Sequence, residues 1–313
     1  MTSLKNFSKA KFIPAIVFIS GLLFCHFTGN RGVHPIDSFS HFDSGFRILN
    51  GEHPFKDYWV VSGFFVDYFQ SLIFLLLGTN WQTYILNASL INGFISTLVY
   101  YLFVKLGLGL KSSFFYSICF ALLAYPSSGT PFVDHHSALL SLISVIFLIL
   151  AIKTKKSYFW FLIPFFLFLG FLSKQVPTTY IFISVILIIS FHLLQQTKKE
   201  SFNIISILFI SSLFSVILLI VFLNLVSIDY KDFLTQYILY PSSIGNERYN
   251  SLNYNINNVF SNFKLIYLAL IFLIYFTFKN FKEDFFYRSI DFKILLICIL
   301  IFISFAQHII LTK

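Results

Sequence analysis

The sequence predicts an all-α integral membrane protein: a polytopic helical bundle of about nine spans, with two further helices lying along the membrane interface. Three observations lead there. Hydrophobic residues make up 57% of the 313-residue chain and charged residues 11%, with a mean hydropathy of +0.81, whereas a soluble domain carries roughly 25% charged residues. The apolar residues fall in blocks, and the basic residues sit in short stretches between them, where lysines and arginines act as topology signals. The net charge of +9 is therefore not a nucleic-acid footprint, which would gather the basic residues in one patch.

The first block, KFIPAIVFISGLLFCHFTG, has basic residues before it and no small-residue cleavage site after it, so it reads as a retained span rather than a signal peptide. Spans are expected near 11–29, 80–104, 112–125, 137–152, 157–172, 176–194, 202–226, 263–279 and 292–311. The segment 64–78 is ambiguous, being short and carrying Asp67 and Gln70. If it lies in the interface, 14 of the 22 basic residues share one side of the membrane and nine of the 13 acids share the other. If it crosses, Lys5, Lys9 and Lys11 are separated from every other basic cluster, so the interfacial placement is adopted. The whole chain, 1–313, then reads as one transmembrane domain with outward loops at 30–79, 125–136 and 227–262. Cys25, Cys119 and Cys298 sit in apolar runs without metal or C-x-x-C spacing and read as small buried residues.

The first outward loop holds the densest chemistry. From His34 to Asp67 it reads HPIDSFSHFDSGFRILNGEHPFKDYWVVSGFFVD, with five of the chain's 13 acids and three of its 8 histidines. Its first interfacial helix is predicted from the apolar stripe Phe39, Phe42, Phe46 and Leu49, opposite a polar side bearing Asp37 and His41; Asp37 is a good N-cap and Asn50-Gly51 a good stop. Its second turns Phe65, Tyr68, Phe69, Leu72, Ile73 and Leu76 toward lipid or protein, with Asp67 and Gln70 on another face.

Each candidate has a functional and a structural reading. Asp37 is either a cap or a general base, the carboxylate that takes a hydroxyl proton as an activated sugar carbon is attacked. His41 orients Asp37, contacts phosphate, or is a solvated histidine. Glu52, His53, Lys56 and Asp57 form either a salt-bridged turn or a site that holds a lipid phosphate while carboxylates contact sugar hydroxyls. Asp134, His135 and His136 bind a polar acceptor or sugar, start a helix, or contribute to a divalent-cation site completed from elsewhere. Lys174, with Gln175, either snorkels to headgroups or neutralises a departing phosphate. There is no Walker loop, dinucleotide fingerprint, G-x-S-x-G or HExxH, which leaves ATP-driven transport and serine or zinc hydrolysis unsupported.

The order of these features resembles a known family: a first span, Asp37 within P-x-D, R-I-L-N-G-x-x-P-F-x-D-Y at 47–58, an amphipathic segment ending in Leu77-Gly78, Tyr125-Pro126, Asp134, and Lys174-Gln175. Over residues 10–195 it looks like the membrane-embedded GT-C glycosyltransferases, which include the protein O-mannosyltransferases and the aminoarabinose transferases of lipid A. The resemblance implies transfer of a sugar from a polyprenyl-phosphate donor to a lipid, glycan or protein acceptor on the non-cytoplasmic face of a bacterial-type inner membrane. Asp37 would match the catalytic position, Asp134 a further pocket carboxylate, and Lys56 and Lys174 the donor-phosphate contacts. Ser38 stands where many members carry a second acid, so no cofactor is demanded and a divalent cation stays open. Rival readings are a transporter or flippase of a lipid-linked sugar and a non-catalytic membrane subunit. The gathering of acids at one surface, without paired Gly/Pro-broken halves, favours an enzyme.

Overall fold

The computed structural model describes residues 2–32, 36–250, 256–279 and 288–312; the side chains of 2–11, 36–38, 248–250, 256–259 and 307–312 fall outside that description. The described chain is helical and contains no strand. In order it forms α1 (Thr2–Gly29), α2 (Ile36–Leu49), α3 (Phe64–Leu77), α4 (Trp81–Leu106), α5 (Leu110–Leu123), α6 (Val133–Thr154), α7 (Ser157–Ser173), α8 (Gln175–Leu193) and α9 (Lys198–Val226). Then come α10 (Tyr230–Leu234), a π turn (Thr235–Leu239), α11 (Tyr240–Asn250), α12 (Ile256–Lys279) and α13 (Ile290–Thr312). Each segment predicted to span is helical. Among the described residues six helices are long and apolar enough to cross a membrane: Phe12–Gly29, Trp81–Leu106, Val133–Thr154, Gln175–Leu193, Lys198–Val226 and Phe260–Lys279. The chain is a multi-pass helical membrane protein.

The bundle is centred on α6, which packs against α7, α4 and α8 and buries nearly its whole circumference from Leu139 to Ala151. Between membrane helices, small residues and polar side chains do much of the joining, because lipid is as apolar as leucine. At the α1–α4 crossing a Cβ on Gly93 would lie 2.7 Å from the Phe18 carbonyl oxygen, so only glycine permits the approach. Immediately before Gly93, Asn92 donates to the carbonyls of Gly21 (2.7 Å) and Ala121 (2.9 Å) and accepts from the Tyr125 amide (3.3 Å), joining α1, α4 and α5. Thr178 joins α8 to α6 through Ser137 (2.7 Å) and Ser141 (2.8 Å).

Side-chain contacts show which helix ends lie together. The C-terminal end of α1 meets the α5–α6 turn, where Cys25 Sγ lies 3.8 Å from the Gly129 carbonyl. The start of α6 meets the α7–α8 junction, where Ser137 donates to the Lys174 carbonyl (2.9 Å). This layer carries Asp43, Glu52, Asp57, Asp67 and Asp134. At the opposite ends lie Lys105, Lys111, Lys153, Lys155, Lys156, Lys198 and Lys199, with Lys293 against His192 (3.0 Å) where α13 meets α8.

α3 begins at Gly63, whose amide donates to the Ser173 carbonyl at the end of α7 (2.8 Å). It finishes at Gly78 beside Asn80, which caps α4 through Thr83 (3.0 Å), and Trp81 donates to the Gly29 carbonyl at the end of α1 (3.2 Å). Both ends of α3 thus lie in the acid-rich layer, and the helix runs along that layer rather than through the bundle.

The structure assigns the faces of both amphipathic helices. On α2 Phe39 and Phe46 are exposed, Phe42 is half-buried against Phe74 and Tyr84, and His41, Gly45 and Ile48 are buried, which corrects the reading of His41 as a solvated histidine. On α3 the polar face with Asp67 and Gln70 is buried, while Leu72, Leu75 and Leu76 face outward. The physical reason is the solvent: against lipid, apolar side chains lose nothing by exposure, and polar ones must find partners inside. The region 227–262, expected as a loop, is largely helical through α10, the π turn and α11. α2 begins at Ile36, so Asp37 lies inside its first turn rather than at its cap.

Candidate functional site

A cavity of about 500 Å³ opens in the acid-rich layer. Four parts of the chain line it: α2 through Ser40, His41, Asp43, Ser44 and Arg47; the strap Tyr58–Ser62; α3 through Asp67; and the facing ends of α6 and α7, through Phe132, Val133, Asp134 and Lys174. A larger groove of about 680 Å³ runs along α12, lined by Ile271, Ile274, Tyr275, Phe278 and Lys279. With no acid and no convergent polar groups it lacks the chemistry of a site.

Two pairs, each with a carboxylate, lie on the cavity wall. His41 Nδ1 is 2.7 Å from Asp67 Oδ1, with the two residues 6% and 1% exposed. Burial pushes the Asp67 carboxyl above the ordinary carboxylate range, and His41 pulls it part of the way back. Across the cavity, Lys174 Nζ grips both Asp134 oxygens, at 2.8 and 2.7 Å, with both side chains half-buried. Asp134 lies in the first turn of α6 and Phe132 holds the cap position, so the acid is engaged by lysine rather than by the helix end. A third pair stands at the rim, where Arg47 Nε meets Glu52 Oε2 at 2.7 Å and the guanidinium lies 4.1 Å from the Tyr58 ring centroid. The Tyr58 hydroxyl is buried beside Ser44 yet reaches no hydrogen-bond geometry among the described residues. Burial also raises its pKa, so it is a donor at neutral pH and a place for a ligand's polar atom.

Beneath the pairs runs a buried polar chain. Tyr125 donates to His136 Nδ1, His136 Nε2 donates to Asn87 Oδ1 (2.8 Å), Asn87 donates to Gln70 Oε1 (3.1 Å), and Gln70 donates to the Thr83 carbonyl (3.3 Å). The direction is fixed from its far end, because a backbone carbonyl only accepts. It ties α6, α4 and α3 together under the cavity.

The strap is held by two glutamines. Gln236, in the π turn, donates to the Phe55 carbonyl (3.0 Å) and accepts from the Val60 amide (3.1 Å). Gln175 donates to the carbonyls of Val61 (2.9 Å) and Tyr237 (2.6 Å). Phe55 adopts a left-handed backbone (φ 69°) and buries its ring against Phe64, Phe233 and Tyr237.

Of the residues selected from sequence, His41, Asp134 and Lys174 meet in the cavity. Gln175 holds the strap that walls it. His53 contacts the Tyr68 hydroxyl (3.0 Å), and its amide is received by Asp57 (2.7 Å), which makes Asp57 the closure of a tight turn. Lys56 is exposed and directed to the Val226 carbonyl (3.5 Å). These three stand outside the cavity lining. His135 meets Ser127 (3.2 Å) and is not part of the cavity lining. His34 and the side chain of Asp37 lie outside the described residues; the backbone puts residue 37 one turn before His41 in α2. Among the described residues no three His, Cys, Asp or Glu side chains converge as a metal-holding group. Sequence reading passed over Arg47, Tyr58 and the partnership of Asp67. A histidine and an acid on the polar faces of adjacent amphipathic segments, His41 and Asp67, were the available signal.

No family model matches the chain, and no curated protein or solved structure matches it either.

Proposed function

We propose that this chain is a GT-C-type membrane glycosyltransferase that moves a sugar from a polyprenyl-phosphate donor to a hydroxyl of a lipid, glycan or protein acceptor outside the cytoplasm. The observation that carries the reading is the cavity itself. It gathers lysine, arginine, imidazole and three carboxylates from four parts of the chain at one end of an apolar bundle. A lipid-phosphate donor needs this combination, a polar chamber within reach of lipid. The outward-facing leucines of α3 supply an apolar flank beside it.

In this reading Lys174 and Arg47 hold the donor phosphate and stabilise the charge that develops as it departs. Each is already poised against a carboxylate, so phosphate exchanges for one anion rather than entering bare. Asp134 and Asp43 receive sugar hydroxyls, and Tyr58 donates to a sugar or phosphate oxygen. Asp37 is the sequence-derived candidate for the base. The lysines at the opposite helix ends support the non-cytoplasmic assignment.

The test uses membranes from cells expressing the chain, supplied with radiolabelled polyprenyl-phosphate sugars and compared with Asp134→Asn. Transfer of label to an acceptor, lost or strongly reduced in the variant at equal expression, is the expected result. Wild-type membranes that consume no donor would refute the proposal, and protection of the donor across the bilayer would replace it with flipping.

A further inference from the structure

We infer that His41, held by Asp67, is the group that accepts the proton of the acceptor hydroxyl, with Asp67 as its positioning residue. The inference rests on the transferase reading above. It begins with the ring. Asp67 Oδ1 lies 2.7 Å from His41 Nδ1, so the neutral imidazole keeps its hydrogen on Nδ1 and its lone pair on Nε2. Both residues line the cavity. The ring also packs close against the backbone at Gly63, where a Cβ would lie 2.7 Å from His41 Cε1. A base whose orientation is set by a carboxylate and by packing has little freedom to lose on reaching the reactive geometry.

The neighbouring buried histidine supplies the contrast. His136 has both ring nitrogens committed, one to Tyr125 and one to Asn87, so its role is to join helices. A buried acid–imidazole pair is a costly way to join α2 to α3, which already pack closely where Gly45 meets Gln70. A proton-transfer role accounts for keeping the pair.

The charge around His41 comes from every side. Asp67 faces it from α3, Asp134 and His136 from α6, Lys174 from the α7–α8 junction, Tyr58 from the strap, and Asp43 and Arg47 from α2 itself. Lys174 is neutralised by Asp134 and Arg47 by Glu52, which leaves Asp67 as the dominant close partner. That carboxylate stabilises the imidazolium as it forms. The step balances as follows: the acceptor oxygen bonds the anomeric carbon, the bond from that carbon to the phosphate oxygen breaks, and its electron pair leaves on the polyprenyl phosphate. The acceptor proton passes to His41 Nε2.

The test compares initial rates of the full chain in membranes from about pH 5 to pH 9 with the donor that wild type uses. The variants are His41→Gln, Asp67→Asn and Asp37→Asn, each with its thermal transition recorded. His41→Gln is expected to lower kcat by roughly 10²- to 10⁴-fold with little change in KM for the donor, and to remove the acidic limb of the profile. Asp67→Asn preserves an acceptor for Nδ1 and is expected to lower kcat and move the acidic limb to lower pH. It therefore tests the pair even if His41→Gln fails to fold. Added imidazole is expected to restore part of the rate to His41→Gly. The assignment is overturned if His41→Gln works at the wild-type rate, if its loss is confined to KM, or if Asp37→Asn alone removes the acidic limb. If wild type moves no label from any donor, the reaction itself is wrong and the base falls with it, an outcome distinct from an active wild type with an active His41→Gln.

Discussion

The Asp134–Lys174 pair gives a quantitative test of what the cavity is for. Its geometry is good, with contacts of 2.8 and 2.7 Å, but the side chains are 29% and 23% exposed. An ion pair with that much solvent contributes at most about 1 kcal/mol to stability. A charge-assisted hydrogen bond from Lys174 to a phosphate is worth about 1.5–3 kcal/mol. At about 1.4 kcal/mol per decade this is roughly 10- to 150-fold in kcat/KM. Lys174→Met should therefore cost much activity and little stability, measured as donor kcat/KM and as the thermal midpoint of the same preparation. It also leaves the Asp134 carboxylate uncompensated where a phosphate must enter. Adding Asp134→Asn removes that repulsion and offsets part of its own loss of sugar contacts, so the double variant should be less impaired than the product of the singles. If Lys174→Met lowers stability as strongly as activity, or if the two substitutions combine as independent losses, the pair is a structural clasp and the phosphate assignment is wrong.

Other outcomes follow from the same geometry. Asn92→Leu removes two interhelical hydrogen bonds, about 0.6 kcal/mol each in a membrane bundle, and orphans the Tyr125 amide at about 1–3 kcal/mol. A loss of about 2–4 kcal/mol in reversible unfolding is expected, and a loss below about 0.5 kcal/mol would mean that glycine packing alone joins α1, α4 and α5. Gly63→Ala places a methyl 2.7 Å from the His41 ring on a backbone at φ +92°, combining left-handed strain of about 1–2 kcal/mol with overpacking of about 1–3 kcal/mol. It should lower both the thermal midpoint and turnover, and an unchanged midpoint would show that the ring is not fixed there. Burial, then the Lys56 charge, holds the His53 pKa below its ordinary value of 6.5. Stability from this site is complete above that value and is lost as pH falls, because the unfolded chain takes up the proton first. The wild-type midpoint should fall faster than that of His53→Gln between about pH 7 and pH 5; parallel curves would rule the site out.

The positions of the helices were legible because each apolar block is uninterrupted and each break carries lysine or glycine. The interfacial course of α3 was an expectation from charge alone; the structure adds that both of its ends lie in the acid-rich layer, by the contacts at Ser173 and Gly29. What the pattern left open was the inside of the amphipathic helices: Phe39 and Phe46 face outward and His41 is buried. Period analysis finds two faces without saying which is inward, and in lipid the polar face wins the interior. The His41–Asp67 contact joins residues 26 apart on two helices, which no local spacing reveals. The helices of 230–250 escaped because Tyr, Asn and Ser favour them weakly and contacts from Gln236 and Tyr237 hold them in place.

The course of α3 also has an evolutionary meaning. Because residues 30–79 leave one layer of helix ends and return to it, this segment is neutral in parity: it can be lengthened, shortened or exchanged without inverting any later helix. Reporters inserted after position 31 and after position 79 should therefore report the same compartment. A chamber built largely from such an excursion can be reshaped for a new substrate while the scaffold beneath it is inherited unchanged.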